Sequence, residues 1–222
     1  MSSVDPVENL IGDLTVESRA TVTEGLCRRF LVGAWRIGRT SIFWGWRFYS
    51  LGSRSVLGRS LQVNNPRAVA IGSRVTITSQ FILADLCPSV NEVPKIIIGD
   101  GCIILYRFQC NAAQSVRIGK NVLIASNVLI TDSDHVIEPG GVPVTKNRKF
   151  VTQPVRVEDN CWLGQNAVIL KGVTIGHDSI VGANSVVTHD VPPCSVVAGN
   201  PARVIKRLKG LDDSGDVHNQ SC

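Results

Sequence analysis

The chain has 222 residues, 44% of them hydrophobic and 18% charged, with a net charge of +5 at pH 7. This composition is that of a globular protein and not of a disordered one. The charge is too small to choose between nucleic acid, an anionic membrane and a polyphosphate ligand. No run of about 18 apolar residues occurs, so no membrane span is predicted.

Residues 1–54 differ from the rest and predict an N-terminal segment with one or two amphipathic helices. Acidic residues such as Asp5 and Glu8 stand where a signal peptide needs a basic and then an apolar stretch, so we expect a cytoplasmic protein. The stretch 26–50 carries three of the four tryptophans and five arginines. Two interpretations stay open for it: peripheral contact with an anionic membrane, or a cap or subunit contact for the domain that follows.

A period of six residues dominates the chain after position 55. From Val157, six successive blocks each open with an aliphatic residue: VEDNCW, LGQNAV, ILKGVT, IGHDSI, VGANSV and VTHDVP. On an α-helix this spacing would drift by about 120° per block, so it cannot mark one helix face. A triangular coil with six residues on each side keeps those residues inside, and such coils stack at about 4.8 Å. We therefore predict an all-β domain of stacked coils over 55–208.

Two stretches interrupt the repeats and are predicted to be loops. The first is 84–95, which contains two prolines. The second is 136–153, which follows His135 directly and carries prolines, glycines and a cluster of basic residues. Because long loops inside a regular array are more often functional than idle, the second marks a candidate site. The tail 209–222 is predicted to be disordered.

Two stretches resemble the hexapeptide-repeat acetyltransferases, and sugar and polysaccharide O-acetyltransferases in particular. They are VRIGKNVLIASNVLITDSDH and the segment that runs from CWLGQ to NPARVIK. The resemblance is strong over 118–208, weak over 55–117 and absent from 1–50. It implies a left-handed parallel β-helix, acetyl-coenzyme A as co-substrate, a saccharide acceptor in surface polysaccharide biosynthesis, and a homotrimer without a nucleic-acid partner.

The resemblance also implies that His135 is the general base. An alcohol is a poor nucleophile, and a base of pKa about 6.5 that removes its proton accelerates attack on a thioester by about 10²–10⁴. Asp132 and Asp134 flank this histidine, and each either orients the imidazole or is a solvated turn carboxylate. Asp134 and Asn111 are candidates for binding the acceptor.

By the same resemblance, the acyl donor lies in an outer groove between subunits. The residues implied to line it, from the thioester towards the nucleotide phosphates, are Trp162, Gln165, Ala183, Thr188, Arg203 and Lys206. The chain has His189 where relatives often carry lysine, so one phosphate contact is expected to be weaker.

Other functions fit the repeats less well. An N-acetyltransferase of an amino-sugar nucleotide and a scaffold without catalysis stay as alternatives. A zinc enzyme of the gamma carbonic anhydrase type would need three histidines from adjoining coils, and this chain lacks that spacing, so no metal is predicted. The seven cysteines include no C-x-x-C pair and are interpreted as small buried hydrophobic residues.

Overall fold

The structure, a computed structural model, describes residues 38, 40, 42–88 and 93–208. The chain divides into two units, 1–39 and 40–222, and nearly all described residues belong to the second. The predicted tail 209–222, and most of the predicted helical segment before residue 42, lie outside the described residues. Within the described part, positions 38, 40 and 42–44 are helical, a 3₁₀ turn covers Pro66–Ala68, and everything else is strand, turn or irregular connection. No described helix has the length and hydrophobicity that crossing a bilayer requires.

Short strands form three parallel sheets, named here faces A, B and C. Face A contains β1 (Ser50–Leu51), β4 (Val69–Ile71), β7 (Ile96–Ile98), β10 (Val116–Ile118), β15 (Val155–Val157) and β18 (Thr174–Ile175). Face B contains β2 (Val56–Leu57), β5 (Thr76–Ile77), β8 (Ile103–Ile104), β11 (Leu123–Ile124), β16 (Trp162–Leu163), β19 (Ile180–Val181), β21 (Ser195–Gly199) and β22 (Ala202–Arg207). Face C contains β3 (Leu61–Val63), β6 (Phe81–Asp85), β9 (Gln109–Ala112), β12 (Leu129–Thr131), β17 (Val168–Ile169) and β20 (Val186–Val187).

The chain visits the faces in the order A, B, C and then returns to A one coil further on. Equivalent residues of successive coils are hydrogen-bonded neighbours, as in the pairing of Leu123 with Trp162 and of Trp162 with Ile180. All strand pairs within faces A, B and C are parallel except the last pair of face B. There β22 runs antiparallel to β21 and ends the β-helix. The triangular coil predicted from the six-residue period is therefore what the chain forms.

The first aliphatic residue of each six-residue block points into the prism. Ile98, Ile118, Val157 and Ile175 follow one another along face A, and all four are almost completely buried. Each such side chain contributes about 1.5–3 kcal/mol on burial. Near the N-terminal end, Phe48 is buried and Trp44 packs against the same core, whereas Ile42, Phe43 and Trp46 are exposed. Phe48 and Trp44 thus belong to the core of the β-helix, and both interpretations of the stretch 26–50 stay open.

Corners between faces need left-handed backbone, and asparagine supplies it repeatedly. At the corner between faces B and C, Asn127, Asn166 and Asn184 have φ of 60°, 59° and 58°. Asparagine tolerates this conformation better than most residues. Their side chains form a ladder, with Asn127 Nδ2 donating to Asn166 Oδ1 at 3.0 Å and Asn166 Nδ2 donating to Asn184 Oδ1 at 2.8 Å.

Both predicted loops contain more strand than the sequence indicated. β6 continues to Asp85, because the Asp85 N–H donates to Asn64 and its buried carboxylate binds Asn65 and Lys95. Residues 89–92 of that loop lie outside the described part. The second interruption is a hairpin arm, in which β13 (Ser133–His135) pairs antiparallel with β14 (Phe150–Thr152). These side-chain and long-range contacts leave no six-residue pattern in the sequence.

Candidate active site

The hairpin arm leaves the prism at the corner between faces C and A. Asp132 anchors the point where the arm begins. Its carboxylate is fully buried and accepts hydrogen bonds from the backbone N–H groups of residues 113, 114 and 115, each at 2.7 Å. Three such charge-assisted bonds fix the start of β13 relative to the preceding coil. Asp132 is therefore occupied with the backbone and does not orient the imidazole.

Beyond β13 and β14 the arm organises itself around Asn147, which is buried. Its Nδ2 donates to the carbonyl of Val136 at 3.1 Å, and its Oδ1 accepts the N–H of Lys149 at 3.0 Å. The Lys149 ammonium also pairs with Glu138 at 3.0 Å. These contacts give the arm a defined shape, so the residues at its base have fixed positions.

His135 ends β13 and is exposed, so the ring is accessible to a substrate. The ring of Phe150 lies 4.7 Å away between centroids and is tilted by 42°. Within the described residues no side chain or backbone group is hydrogen-bonded to the imidazole. Asp134, the second flanking carboxylate, points elsewhere and forms an ion pair with Lys171. The expectation that a neighbouring aspartate orients His135 is not met by either residue.

Ser133 was not among the predicted site residues, although it lies in the same T-D-S-D-H segment. It is two residues before His135 on β13, so both side chains project from the same side of the strand. Its hydroxyl is buried and has no hydrogen-bond partner among the residues that the structure describes. A buried unpaired hydroxyl is rare, and this one is closed off from a ligand bound at the exposed imidazole.

Asn111 lies one coil before the arm, on β9, where it pairs with Thr131 of β12. Its Oδ1 accepts a bond from Gln109 Nε2 at 3.2 Å. Both Asn111 and the arm therefore border the corner between faces C and A, the arrangement that a role in acceptor binding requires.

The predicted donor residues follow a different corner. Trp162 is on face B with its ring half exposed, and Gln165 and Ala183 are exposed at the corner between faces B and C, one coil apart. Arg203 is on β22 opposite Ala198, near the same corner. Thr188 is the exception, because it lies at the corner between faces C and A, where its hydroxyl contacts His189 Nδ1 at 2.8 Å.

Cationic groups gather at the C-terminal end of the prism. Arg203 and His189 line one cavity of about 290 Å³. Lys206 is exposed on the same strand as Arg203, and within the described residues neither forms an ion pair with a carboxylate. These charges are free to meet an anionic ligand. A depression of about 710 Å³ on face A contains none of the predicted site residues.

The structure thus brings the predicted residues together in two groups. His135, Asp134 and Asn111 border the corner between faces C and A, whereas Gln165 and Ala183 occupy the corner between faces B and C. The two corners are the opposite edges of face C. Within one chain, the candidate base and the candidate donor groove therefore do not meet.

The cysteines divide into buried and accessible ones. Burial raises the pKa of Cys102 and of Cys161 to about 11 and raises that of Cys110 further, so these thiols are unreactive small hydrophobic residues, as predicted. The prediction is wrong for Cys87, which is exposed, and for Cys194, which is partly exposed, and neither forms a disulfide with another described cysteine. Cys27 and Cys222 lie outside the described residues.

Comparison with known proteins identifies the repeats. Residues 154–189 match the family described as the hexapeptide repeat of succinyl-transferase. The chain is 42% identical over 98 residues to galactoside O-acetyltransferase of Escherichia coli K12, covering 44% of this chain and 47% of that protein. It is 39% identical over 100 residues to a putative lipopolysaccharide biosynthesis O-acetyl transferase, WbbJ, of the same strain, covering 42% and 51%. The chain thus matches about half the length of these curated relatives.

A solved structure extends the similarity to most of the chain. The hexapeptide-repeat acetyltransferase of Vibrio cholerae O1 biovar eltor, complexed with acetyl coenzyme A, is 25% identical with a TM-score of 0.50 and covers 78% of each chain. The expected fold class, a left-handed parallel β-helix of hexapeptide repeats, is confirmed. The resemblance to hexapeptide-repeat acetyltransferases, with sugar O-acetyltransferases among the relatives, is confirmed as well.

Proposed function

We propose that the chain is an acetyl-coenzyme A-dependent O-acetyltransferase that acts on a saccharide hydroxyl. The observation that carries the proposal is the exposed His135, held at the base of a rigid arm by the buried Asp132. The relatives named as galactoside and lipopolysaccharide O-acetyltransferases support the acceptor class. An N-acetyltransferase would have less need of the base, because a neutral amine is already nucleophilic.

The corner between faces B and C suits the acyl donor. The small, exposed Ala183 leaves room for a pantetheine chain beside the backbone, and Trp162 offers an apolar surface close by. At the C-terminal end, Arg203 and Lys206 supply cationic donors for the nucleotide phosphates. The Vibrio cholerae protein complexed with acetyl coenzyme A supports this choice of co-substrate.

A complete site needs two copies of the chain, because the base and the donor groove lie at opposite edges of face C. In a homotrimer, the arm of one copy faces the groove of the next and three equal sites result. Closed rotational symmetry makes each of the three contacts the same. Asn111 then lines the acceptor side of each site, whereas Asp134 projects from the other side of β13 and contacts the acceptor only if its ion pair with Lys171 opens.

In the proposed reaction, His135 accepts the proton of the acceptor hydroxyl while the oxygen bonds to the acetyl carbon. The carbon–sulfur bond of the thioester breaks, and the imidazolium returns its proton to the leaving thiolate. No covalent enzyme intermediate forms, and the products are an acetyl ester and coenzyme A.

The aromatic residues before β1 support a proposal on the location of the protein. Ile42, Phe43 and Trp46 are exposed, and the Arg47 guanidinium lies 5.1 Å from the Trp46 ring. Aromatic rings with arginine suit the interface of an anionic bilayer. A cytoplasmic protein that makes peripheral membrane contact through this segment agrees with an acceptor attached to lipid.

The reaction is tested by measuring thiol release from acetyl-coenzyme A with a panel of mono-, di- and lipid-linked saccharides. We expect release that depends on the acceptor and yields an ester that mild alkali removes. A product stable to alkali would identify an amide and favour the amino-sugar alternative. Failure of the protein to bind coenzyme A would leave only the scaffold alternative and overturn the proposal.

A further inference from the structure

The corner between faces A and B ends in a group of side chains that the proposed reaction does not use. His177, Asp178 and Cys194 each present one ligand atom there, and these three atoms all lie within 4.8 Å of one another. His177 Nδ1 is 2.7 Å from Asp178 Oδ2. Imidazole, carboxylate and thiolate are the three ligand types that Zn²⁺ takes in proteins.

The backbone holds the two contributing turns together. The Cys194 N–H donates to the His177 carbonyl at 2.9 Å, and the Leu208 N–H donates to the Cys194 carbonyl at 2.7 Å. The His177 N–H donates to Glu158 Oε2 at 2.9 Å. The backbone positions of the three residues are thus set before any ion binds, which reduces the entropic cost of binding.

Local conformation gives no reason for a cysteine at position 194. The equivalent position in the three preceding coils holds Asn121, Asn160 and Asp178, all with φ between 55° and 58°, and Cys194 has φ of 53°. Asparagine, aspartate and glycine tolerate left-handed backbone, whereas cysteine gains nothing there. The sulfur at the end of this column instead lies beside an imidazole and a carboxylate.

We propose that His177, Asp178 and Cys194 form a zinc site at the last corner between faces A and B. Ligand atoms of one tetrahedral Zn²⁺ are about 3.3–3.8 Å apart, so side-chain rotations of about an ångström, which separate His177 Nδ1 from Asp178 Oδ2 and bring the Cys194 sulfur closer, suffice. The fourth position is open to water, because His177 and Asp178 are about half exposed. The site joins the coil at residues 174–181 to the closing strands, and it lies away from His135.

The test is a titration of untagged, full-length protein with Zn²⁺ against a chromophoric chelator. We expect one ion per chain, and affinity at least about tenfold weaker in Asp178→Asn and Cys194→Asn, since even outer-shell changes cost that much. Both variants carry the residue that this corner already uses at Asn121 and Asn160, so the fold is retained. Cys87→Ser and His135→Asn are matched controls and keep the parent affinity.

Alkylation followed by peptide mass spectrometry gives a second readout in the same protein. Saturating Zn²⁺ is expected to protect Cys194 from alkylation and to leave the exposed Cys87 reactive. Equal alkylation of Cys194 with and without the ion, or unchanged affinity in Cys194→Asn, would overturn the zinc site. Neither result depends on acetyl transfer, so the proposed reaction is tested separately.

Discussion

Two corners of adjoining coils show how the β-helix separates structure from function. After β16, the chain turns from face B to face C in four residues, 164–167, and the stacked asparagines hold that turn. After β12, the turn from face C to face A takes residues 132–154 and contains the whole hairpin arm. The first corner repeats from coil to coil, whereas the second interrupts the repeat and carries the candidate base.

The two corners also differ in how many backbone N–H groups one aspartate carboxylate accepts. At ordinary corners one aspartate oxygen accepts one N–H of a neighbouring coil, as Asp159 does for Lys120 at 2.8 Å and Asp190 for Thr174 at 2.7 Å. Asp132 accepts three. Where the arm leaves the prism, the carboxylate of Asp132 thus makes the hydrogen bonds between coils that a short turn would otherwise make. An insertion is tolerated because its base is anchored.

The largest effect is expected from His135→Asn, which removes the candidate base from the interrupted corner. We expect kcat to fall by about 10²–10⁴ while the melting temperature stays unchanged, because the ring is exposed. Val151→Thr, an exposed change on the adjacent strand of the arm, is the control and keeps parental activity. Full activity in His135→Asn would contradict a general-base role and favour the N-acetyltransferase alternative.

The next effect concerns stability and compares the two aspartates of the same segment. Asp132→Ala leaves three backbone N–H groups without their acceptor and is expected to lower the free energy of unfolding by about 3 kcal/mol. Asp134→Ala removes only an exposed ion pair and should cost less than about 1 kcal/mol. Urea unfolding at one fixed protein concentration measures both. Similar losses in the two variants would show that Asp132 does not anchor the arm.

The smallest effect belongs to the regular corner. Asn166→Ala removes two side-chain bonds of the ladder and puts alanine at φ of 59°, so we expect a loss of about 1–2 kcal/mol. Asn166→Gly also loses the bonds but accepts the backbone conformation, and its cost should be smaller. If Asn166→Ala and Asn166→Gly lower the free energy of unfolding in urea by the same amount, the left-handed backbone is not the reason for asparagine at this corner.

Much of the regular part of the molecule could be predicted from the sequence. Aliphatic residues such as Ile118, Val157 and Ile175 recur at a fixed phase because every coil has the same three sides, and all are buried. The arm could be predicted only as an interruption. Its hairpin depends on the pairing of His135 with Phe150 and on the bonds of Asp132 to residues 113–115, and pairings between distant residues leave no period.

The sequence predicts residues for the candidate site but not their arrangement. His135 is predicted as the base because it ends a repeat and because the segment around it resembles a family, and the donor residues because the closing segment resembles the same family. The sequence does not reveal that Thr188 lies at the corner between faces C and A, because this position depends on how many residues each turn contains. The group formed by His177, Asp178 and Cys194 was missed because the metal pattern sought in the sequence was three histidines from adjoining coils, whereas this group contains one histidine, one aspartate and one cysteine.

Mixed assemblies test most directly whether the arm of one copy and the groove of another form the site. His135→Asn lacks the base, and Ala183→Trp fills the donor corner with an exposed bulky ring, so each variant alone should be inactive. The two chains are co-expressed with different tags and purified by both in turn. The account predicts that acetyl transfer returns in the mixed assembly, since some sites combine an intact arm with an intact groove. Mixed assemblies that form but stay inactive would contradict it.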